Sequence, residues 1–268
     1  MTPQLMAGKR GLVIGVANDH SIAWGIATTL NASGALLALT YQGEAFEKRV
    51  RPLAESIRAA IVLPCDVDDE GSLDRLFEAL AGAWGRLDFL VHAVAYSDKA
   101  ELKGPYLSAS RENFRRTMLV SCFSFTALAR RAAVLMPAGG SLLTLSFEGS
   151  RRVIPGYNVM GVAKAALEAS VRYLAVDLGV RGIRVNALSP GPMRTLSGAA
   201  VGEARHILAW HRAHAPLGRG IELGEVGAAA LYLLSDLSKG VTGEVLRVDG
   251  GYHAVGMPQP RTGGDPPP

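Results

Sequence analysis

The sequence predicts an α/β fold: a single domain with a doubly wound, seven-stranded parallel sheet and helices on both of its faces. Short apolar segments of strand length alternate with segments of helical periodicity along the 268 residues. This alternation is typical of βαβ units, which build parallel sheets with right-handed crossovers. The composition, with 49% hydrophobic and 19% charged residues, allows a sizeable core and excludes a disordered chain.

The predicted strands are short apolar runs, as expected for strands that are buried on both faces. The first reads Arg-Gly-Leu-Val-Ile-Gly-Val and leads directly into a polar loop. In chain order the predicted strands are 10–16, 35–41, 61–63, 89–93, 141–145, 183–188 and 245–248.

Helical segments with start and stop residues separate these strands. Ser21 is the predicted N-cap of the first helix, and Gly34 follows its end. Pro137 ends the fourth helix, because proline cannot continue a helix. In chain order the predicted helices are 22–30, 44–58, 73–84, 111–136, 158–179 and about 203–214.

No change in composition marks a second domain, so one domain is predicted over 1–256. The segment 190–222 is the longest piece between sheet elements, and it follows the carboxyl end of a strand, where we expect a substrate lid. The tail 257–268 is rich in proline and glycine and is predicted to be disordered.

Charge and cysteine content argue against several classes of protein. The 28 basic and 24 acidic residues give a net charge of +4 spread along the chain, so nucleic-acid binding is not expected. Cys65 and Cys122 form neither a disulfide framework nor a metal-ligand spacing, which favours a reducing compartment. Because no apolar run approaches the ~18 residues of a membrane span, we expect a cytoplasmic protein that does not associate with membranes.

A turn that follows the first strand could bind phosphate. Gly15 lets the backbone turn sharply, and the next helix start supplies N–H groups and the positive end of its dipole. The usual G-x-G-x-x-G spacing is absent, since no glycine lies between Gly15 and Gly25. An ordinary strand-to-helix turn is the alternative. Because strands and helices alternate along the chain, however, the turn favours a Rossmann-like dinucleotide-binding fold.

Residues at two other strand ends could recognise the nucleotide. Asp66, which precedes Val67, could accept a hydrogen bond from an adenine amino group, with helix capping as the alternative role. Gln42 could bind a ribose hydroxyl but offers no cation to a 2′-phosphate. This favours NADH over NADPH, although Lys48 and Arg49 could still reach such a phosphate.

Tyr157 and Lys164 are the candidate catalytic pair. Seven residues are nearly two helical turns, so both side chains leave one face of the helix about 10 Å apart along its axis. Two amphipathic surface residues would show the same spacing. The position after the fifth strand instead favours a pair that holds a nicotinamide ribose between them.

Taken together, these features resemble the short-chain dehydrogenase/reductase superfamily and, within it, the enoyl-acyl-carrier-protein reductases of bacterial fatty-acid synthesis. The resemblance runs from about Lys9 to Gly251. Ordinary members of the superfamily carry Tyr-x3-Lys, which would require tyrosine where this chain has Met160. The motifs that carry the resemblance are Gly15-x5-Ser21-Ile22-x2-Gly25, Thr40-Tyr-Gln42, Cys65-Asp-Val67, Tyr157-Asn-Val-Met-Gly-x-Ala-Lys164, Gly191-Pro-Met-Arg-Thr-Leu196 and Val248-Asp-Gly-Gly251.

The resemblance implies hydride transfer from NADH to the β-carbon of a trans-2-enoyl thioester. It implies that Tyr157 hydrogen-bonds the thioester carbonyl and that Lys164 binds the ribose hydroxyls. A lysine cation at about 7 Å lowers the pKa of a phenol by under about two units, so Tyr157 is expected to stay neutral. The implied cofactor-binding residues are Gly15, Ser21, Ile22, Gln42, Asp66, Val67, Val94, Lys164, Gly191, Pro192, Met193 and Thr195, where the lid begins. The implied substrate-binding residues are Tyr96, Ser97, Tyr157 and Leu196.

The chain departs from the family pattern at two positions. Phe147 stands where many members have a second tyrosine, although some relatives also carry phenylalanine there. It can shape the acyl pocket but cannot donate a proton. Ala95 stands where the family commonly has glycine, and its methyl group should narrow the space beside the nicotinamide.

The predicted lid carries basic residues. The spacing of His206, His211 and His214 does not suit a metal, so no metal is expected. With Arg205 and Arg212 they form a predicted basic surface, and the resemblance suggests that an acidic acyl carrier protein docks there, with acyl-CoA as the alternative substrate carrier. A solvated helix face is the alternative reading of this surface.

The family resemblance also implies a homotetramer, with which the apolar segment 252–257 after the last strand is compatible. Two other functions stay open. One is a reductase of the same superfamily that acts on a carbonyl substrate. The other is an NAD-binding regulator with reduced catalysis, which the presence of Tyr157 and Lys164 disfavours.

Overall fold

The computed structural model describes residues 4–196 and 203–257. Its strands form one sheet of parallel neighbours, and the strand order reverses between the first and fourth strands, as in doubly wound folds. The predicted fold class is thereby confirmed. The strands are β1 (Arg10–Ile14), β2 (Leu36–Tyr41), β3 (Ile61–Pro64), β4 (Phe89–His92), β5 (Gly140–Leu145), β6 (Ile183–Pro190) and β7 (Val245–Val248), in the spatial order β3-β2-β1-β4-β5-β6-β7.

Helices cover both faces of this sheet. Leu12 and Val13 are adjacent on β1 but belong to different hydrophobic clusters, because successive residues of a strand point to opposite faces. This two-sided burial explains why β1 is apolar at consecutive positions. The helices are α1 (Ile22–Ala32), α2 (Glu44–Ser56), α3 (Glu70–Trp84), α4 (Arg111–Met118), α5 (Ser124–Val134), α6 (Asn158–Gly179), α7 (Ala204–His214) and α8 (Leu223–Leu234).

The predicted helix 111–136 is not one regular α-helix. A π-helical turn, Leu119–Phe123, separates α4 from α5, and α5 ends at Val134. Ser121 in this turn donates its hydroxyl to the Tyr96 carbonyl and accepts the Tyr96 N–H, at 3.0 and 2.9 Å. The wider turn thus ties the helix to the loop after β4, a tertiary contact that local sequence does not reveal.

Helix α8 was not predicted. Its sequence is Leu-Gly-Glu-Val-Gly-Ala-Ala-Ala-Leu-Tyr-Leu-Leu. It contains too few polar residues to form an amphipathic pattern. The capping box formed by Glu222 and Glu225 is the sequence feature that marks its start.

Within the described residues, no helix combines the length and apolar character needed to cross a bilayer. Residues 197–202 of the predicted lid and 258–268 of the predicted disordered tail lie outside the described part of the chain.

Candidate active site

The predicted phosphate-binding turn lies at the carboxyl edge of the sheet, beside the point where the strand order reverses. Gly15 has φ +106°, and a β-carbon there would overlap the carbonyl oxygen of Ala93. The turn therefore requires glycine. Ser21 is buried and donates its hydroxyl to the Asn18 carbonyl at 2.6 Å, which folds the turn back onto itself ahead of α1. Ile22 is the first residue of that helix, as predicted.

The other predicted cofactor residues follow different strands at the same edge. Gln42 is exposed directly after β2, Asp66 and Val67 follow β3, and Val94 follows β4. Asp66 accepts the N–H of Asp68 at 3.0 Å, whereas Asp69 caps α3, so the alternative capping role of Asp66 is wrong. Capping needs the residue directly before the helix, and that residue is Asp69.

The segment that follows β6 lies at the same edge of the sheet. Gly191 donates its N–H to the Val248 carbonyl at 2.8 Å, and a β-carbon there would lie 2.7 Å from His211 Nε2. Thr195 donates its N–H to the Met193 carbonyl at 3.0 Å, and Pro192 and Met193 are half-buried. A glycine cradle, a helix start and polar side chains at several strand ends thus fit a dinucleotide.

Tyr157 lies at the N-terminus of α6 and is buried, with 8% of its surface exposed. Its ring packs edge-on against Phe147, with centroids 5.0 Å apart. A β-carbon at Gly149 would overlap the tyrosine ring, so this glycine makes room for it. Burial, assisted by Glu168, raises the pKa of Tyr157 above its ordinary value, so the phenol is neutral near pH 7.

Lys164 is buried beside the end of β5, with 5% of its surface exposed. Its Nζ donates to the Leu145 carbonyl at 2.7 Å. Burial lowers the pKa of Lys164 to about 8, against the opposing effects of Cys122 and Glu168. The amine is therefore mostly protonated near pH 7, as a ribose-binding role requires.

The predicted substrate residues lie around the loop after β4 and at the start of the lid. Tyr96 has its ring under the Arg116 guanidinium at 4.4 Å, and Ser97 Oγ accepts from Asn113 Nδ2 at 3.1 Å. Leu196 is exposed, directly before the residues that are not described.

Phe147 also lines a cavity of about 300 Å³. Its wall includes Phe147 and Ile154 from the segment before α6, Pro192 after β6, and Ile207 and Trp210 of α7. This largely apolar space has room for part of an acyl chain.

The sequence profile of a family described as "Enoyl-(Acyl carrier protein) reductase" matches residues 15–253. The chain belongs to this family. The resemblance stated from the motifs is confirmed.

Relatives within the family are similar over nearly the whole chain. "Enoyl-[acyl-carrier-protein] reductase [NADH] 2" of Rhizobium meliloti (strain 1021) is 61% identical over 254 residues, which cover 95% of each protein. The crystal structure of the reductase from Anaplasma phagocytophilum in complex with NAD is 57% identical and has a TM-score of 0.93, covering 96% of this chain and 98% of that chain. The structure of FabI from Candidatus Liberibacter asiaticus is 55% identical with a TM-score of 0.94, covering 97% of this chain and 100% of that chain.

One predicted feature of the lid is wrong. His211 does not belong to a basic surface, because it is buried and its Nε2 lies 2.8 Å from the Asp249 carbonyl oxygen. Burial lowers its pKa, which disfavours a charge there. Arg205, His206 and Arg212 are exposed on α7, and His214 is partly exposed. Among the described residues, no group of three metal-ligating side chains is positioned to hold an ion.

Three polar residues near the catalytic pair were not predicted: Glu168, Ser146 and Ser150. They are linked by hydrogen bonds from both serine hydroxyls to the Glu168 carboxylate. Lys164-x3-Glu168 places the carboxylate one turn beyond the lysine, and this spacing is the feature that could have indicated it.

Proposed function

We propose that this protein is an NADH-dependent enoyl-acyl-carrier-protein reductase that reduces the 2,3 double bond of trans-2-enoyl thioesters in the synthesis of fatty acids or related acyl chains. The observation that carries the proposal is the buried pair Tyr157 and Lys164, with Lys164 bonded to the carboxyl end of β5, at the sheet edge where the glycine turn follows β1. The family membership of the chain supports the same reaction.

When bound, NADH supplies the hydride, and the residues at the strand ends would hold the cofactor. The turn at Gly15 and the start of α1 suit the pyrophosphate, and Asp66 suits the adenine amino group. Gln42 can bind a ribose hydroxyl without attracting a 2′-phosphate. The exposed side chain of Gln42 thus supports a preference for NADH over NADPH.

Tyr157 acts as the electrophilic group for the thioester. As a buried neutral phenol it donates a hydrogen bond to the carbonyl oxygen, where negative charge develops as the β-carbon is reduced. Its low exposure strengthens this interaction, because little water competes for it.

Lys164 holds the nicotinamide ribose in position. An ammonium group has three N–H donors, and the Leu145 carbonyl takes one of them. The other two can bind ribose hydroxyls. The bond to Leu145 sets the direction in which these donors point.

Phe147 contacts the Tyr157 ring and lines the apolar cavity, so it shapes the acyl site without exchanging a proton. We place part of the acyl chain in this cavity. Tyr96, Ser97 and Leu196 are proposed to contact the rest of the substrate.

The carrier is proposed to be an acyl carrier protein that docks at α7. Arg205, His206 and Arg212 are exposed there next to the cavity wall, and they would attract an acidic partner.

We also propose a cytoplasmic homotetramer. Exposed apolar side chains on α6 and directly after it, among them Tyr173, Val176 and Val180, support burial against other copies of the chain.

The test is to follow NADH absorbance in the presence of a crotonyl thioester or an acetoacetyl thioester. The proposal predicts oxidation of NADH with the crotonyl substrate. Consumption of the acetoacetyl substrate alone would assign the protein to the carbonyl reductases, and consumption of neither would favour an NAD-binding regulator.

A further inference from the structure

A buried carboxylate lies one helical turn beyond Lys164 on α6. Glu168 follows Lys164 by four residues, so both side chains leave the same face of the helix, and both are buried. A buried carboxylate destabilises a fold unless hydrogen-bond donors face it. None of the roles proposed above uses Glu168.

Two serine hydroxyls provide the donors. Ser146 Oγ donates to Glu168 Oε1 at 2.5 Å, and Ser150 Oγ donates to the same oxygen at 2.6 Å. Hydrogen bonds to an ionised acceptor are shorter and stronger than bonds between neutral groups. The two serines enclose the segment that carries Phe147, so the carboxylate holds both ends of that segment.

The segment 146–150 lies directly on α6. Its 3₁₀ turn, Glu148–Ser150, approaches the helix so closely that a β-carbon at Gly161 would lie 2.7 Å from the Gly149 carbonyl oxygen. Ser146 also donates its N–H to the Leu188 carbonyl of β6 at 2.7 Å. Glu168 therefore connects the helix to a turn that is already anchored to the sheet.

Lys164 makes the corresponding contact with the preceding residue. Its Nζ donates to Leu145, while Glu168 accepts from Ser146, so two side chains one turn apart bind two consecutive residues at the end of β5. These contacts set how α6 lies against that strand. The separation of the Phe147 and Tyr157 rings depends on this placement.

We propose that Glu168 is a positioning residue for the reduction, acting through Ser146 and Ser150. It fixes the segment around Phe147 against α6, so that Tyr157 and Lys164 face the substrate and the cofactor in reactive geometry. The inference rests on the proposed roles of Tyr157 and Lys164.

The experiment compares kcat and KM for crotonyl-CoA and NADH in the full chain and in its variants. Glu168→Ala and the double variant Ser146→Ala/Ser150→Ala should each lower kcat per folded molecule by about 10- to 100-fold, as expected for a small misplacement of reacting groups. Glu168→Gln keeps the length of the side chain and an amide oxygen that can accept both hydroxyls. Because the proposed role depends on position, this variant should retain kcat within about threefold. The control is Glu78→Ala, which removes an exposed carboxylate from α3, away from the site, and should leave kcat unchanged.

The triple variant Glu168→Ala/Ser146→Ala/Ser150→Ala shows whether the three residues act together or independently. Because Glu168 and the serines act through the same bonds, the triple variant should be no slower than the more impaired of its parents. Multiplicative losses would overturn the proposal, and so would a Glu168→Gln variant as slow as Glu168→Ala. It would also be overturned if Glu168→Ala lowered only the melting temperature while kcat per folded molecule stayed normal.

Tyr157→Phe, measured in the same series, separates this inference from the proposed function. If Tyr157→Phe leaves kcat unchanged, the proposed site is wrong and the role of Glu168 falls with it. If Tyr157→Phe lowers kcat and Glu168→Ala does not, only the positioning role fails.

Discussion

Burial acts in opposite directions on the two central side chains of the site. It raises the pKa of Tyr157, because the phenolate would be poorly solvated, and it lowers the pKa of Lys164 to about 8 for the same reason. Near neutral pH the phenol keeps its proton, and most of the amine is still charged. Both groups therefore remain hydrogen-bond donors, which is what a site that polarises a carbonyl and binds a ribose needs.

Replacing Tyr157 with phenylalanine removes the proposed donor and keeps the ring that packs against Phe147. We expect kcat to fall by about 100-fold, as for the loss of one oxyanion donor, with NADH affinity nearly unchanged. Steady-state kinetics and NADH fluorescence titration measure the two effects. An unchanged kcat would show that the carbonyl is polarised elsewhere.

Replacing Lys164 with methionine keeps most of the buried volume and removes the charge. We expect the dissociation constant of NADH to rise by about tenfold or more, since hydrogen bonds from a charged group contribute about 1.5–3 kcal/mol. Lys239→Met, the same substitution at an exposed lysine outside the site, is the control and should bind NADH normally. Equal affinities in all three proteins would exclude the ribose-binding role.

Single site residues could be predicted from the sequence where a motif combined residue type with spacing. Gly15 lies directly after β1, and Tyr157 and Lys164 lie at the start of α6, where their motifs predicted them. Ser146 and Ser150 could not be found in this way, because their partner Glu168 lies 22 and 18 residues away and serine is common in turns. His211 was wrongly predicted to lie on the surface, because the sequence of a helix does not show which of its faces packs against other elements.

At the scale of elements, two helices meet through glycines. In α8, a β-carbon at Gly227 would overlap Thr29 Oγ1 and lie 2.8 Å from the Gly25 carbonyl oxygen. In α1, a β-carbon at Gly25 would lie 2.8 Å from Leu223 Cβ. The close contact with α1 explains why α8 is apolar. A helix that is apolar on most sides lacks the amphipathic periodicity by which the other helices were predicted.

Gly227→Ala should lower the free energy of unfolding by about 1–3 kcal/mol, because overpacking at backbone contacts is hard to relieve. Gly224→Ala in the same helix is the matched control. A β-carbon there meets nothing within 4 Å, so the substitution should be neutral or slightly stabilising. Urea unfolding of both variants provides the test, and equal stabilities would refute close packing of α1 on α8.

At the scale of the whole molecule, a buried histidine joins three elements. His92 on β4 lies 2.7 Å from Thr144 Oγ1 of β5 and 2.9 Å from Ser124 Oγ of α5. Ser124 donates its own hydroxyl to the Val120 carbonyl, so its oxygen is left to accept from a neutral imidazole. His92 is thus a fully buried, hydrogen-bonded core residue, and burial lowers its pKa to about 3.

This shift predicts a dependence of stability on pH. Unfolding returns the pKa of His92 to about 6.5, so the unfolded chain binds one more proton than the folded chain between about pH 6.5 and pH 3. Stability from this group is complete above pH 6.5 and falls by up to about 1.4 kcal/mol per pH unit below it. In urea titrations, His92→Asn should lose less stability between pH 7 and pH 4 than the parent protein. His20→Gln, at an exposed position, should behave like the parent, and parallel losses in all three would contradict the account.

A crystal structure of the protein with NAD⁺ and an acyl thioester would show directly whether Tyr157 and Lys164 bind the reacting groups. We expect Tyr157 Oη within hydrogen-bond distance of the thioester carbonyl oxygen and Lys164 Nζ within the same distance of the nicotinamide ribose hydroxyls. A complex in which the thioester carbonyl and the ribose bind away from these two side chains would contradict this expectation.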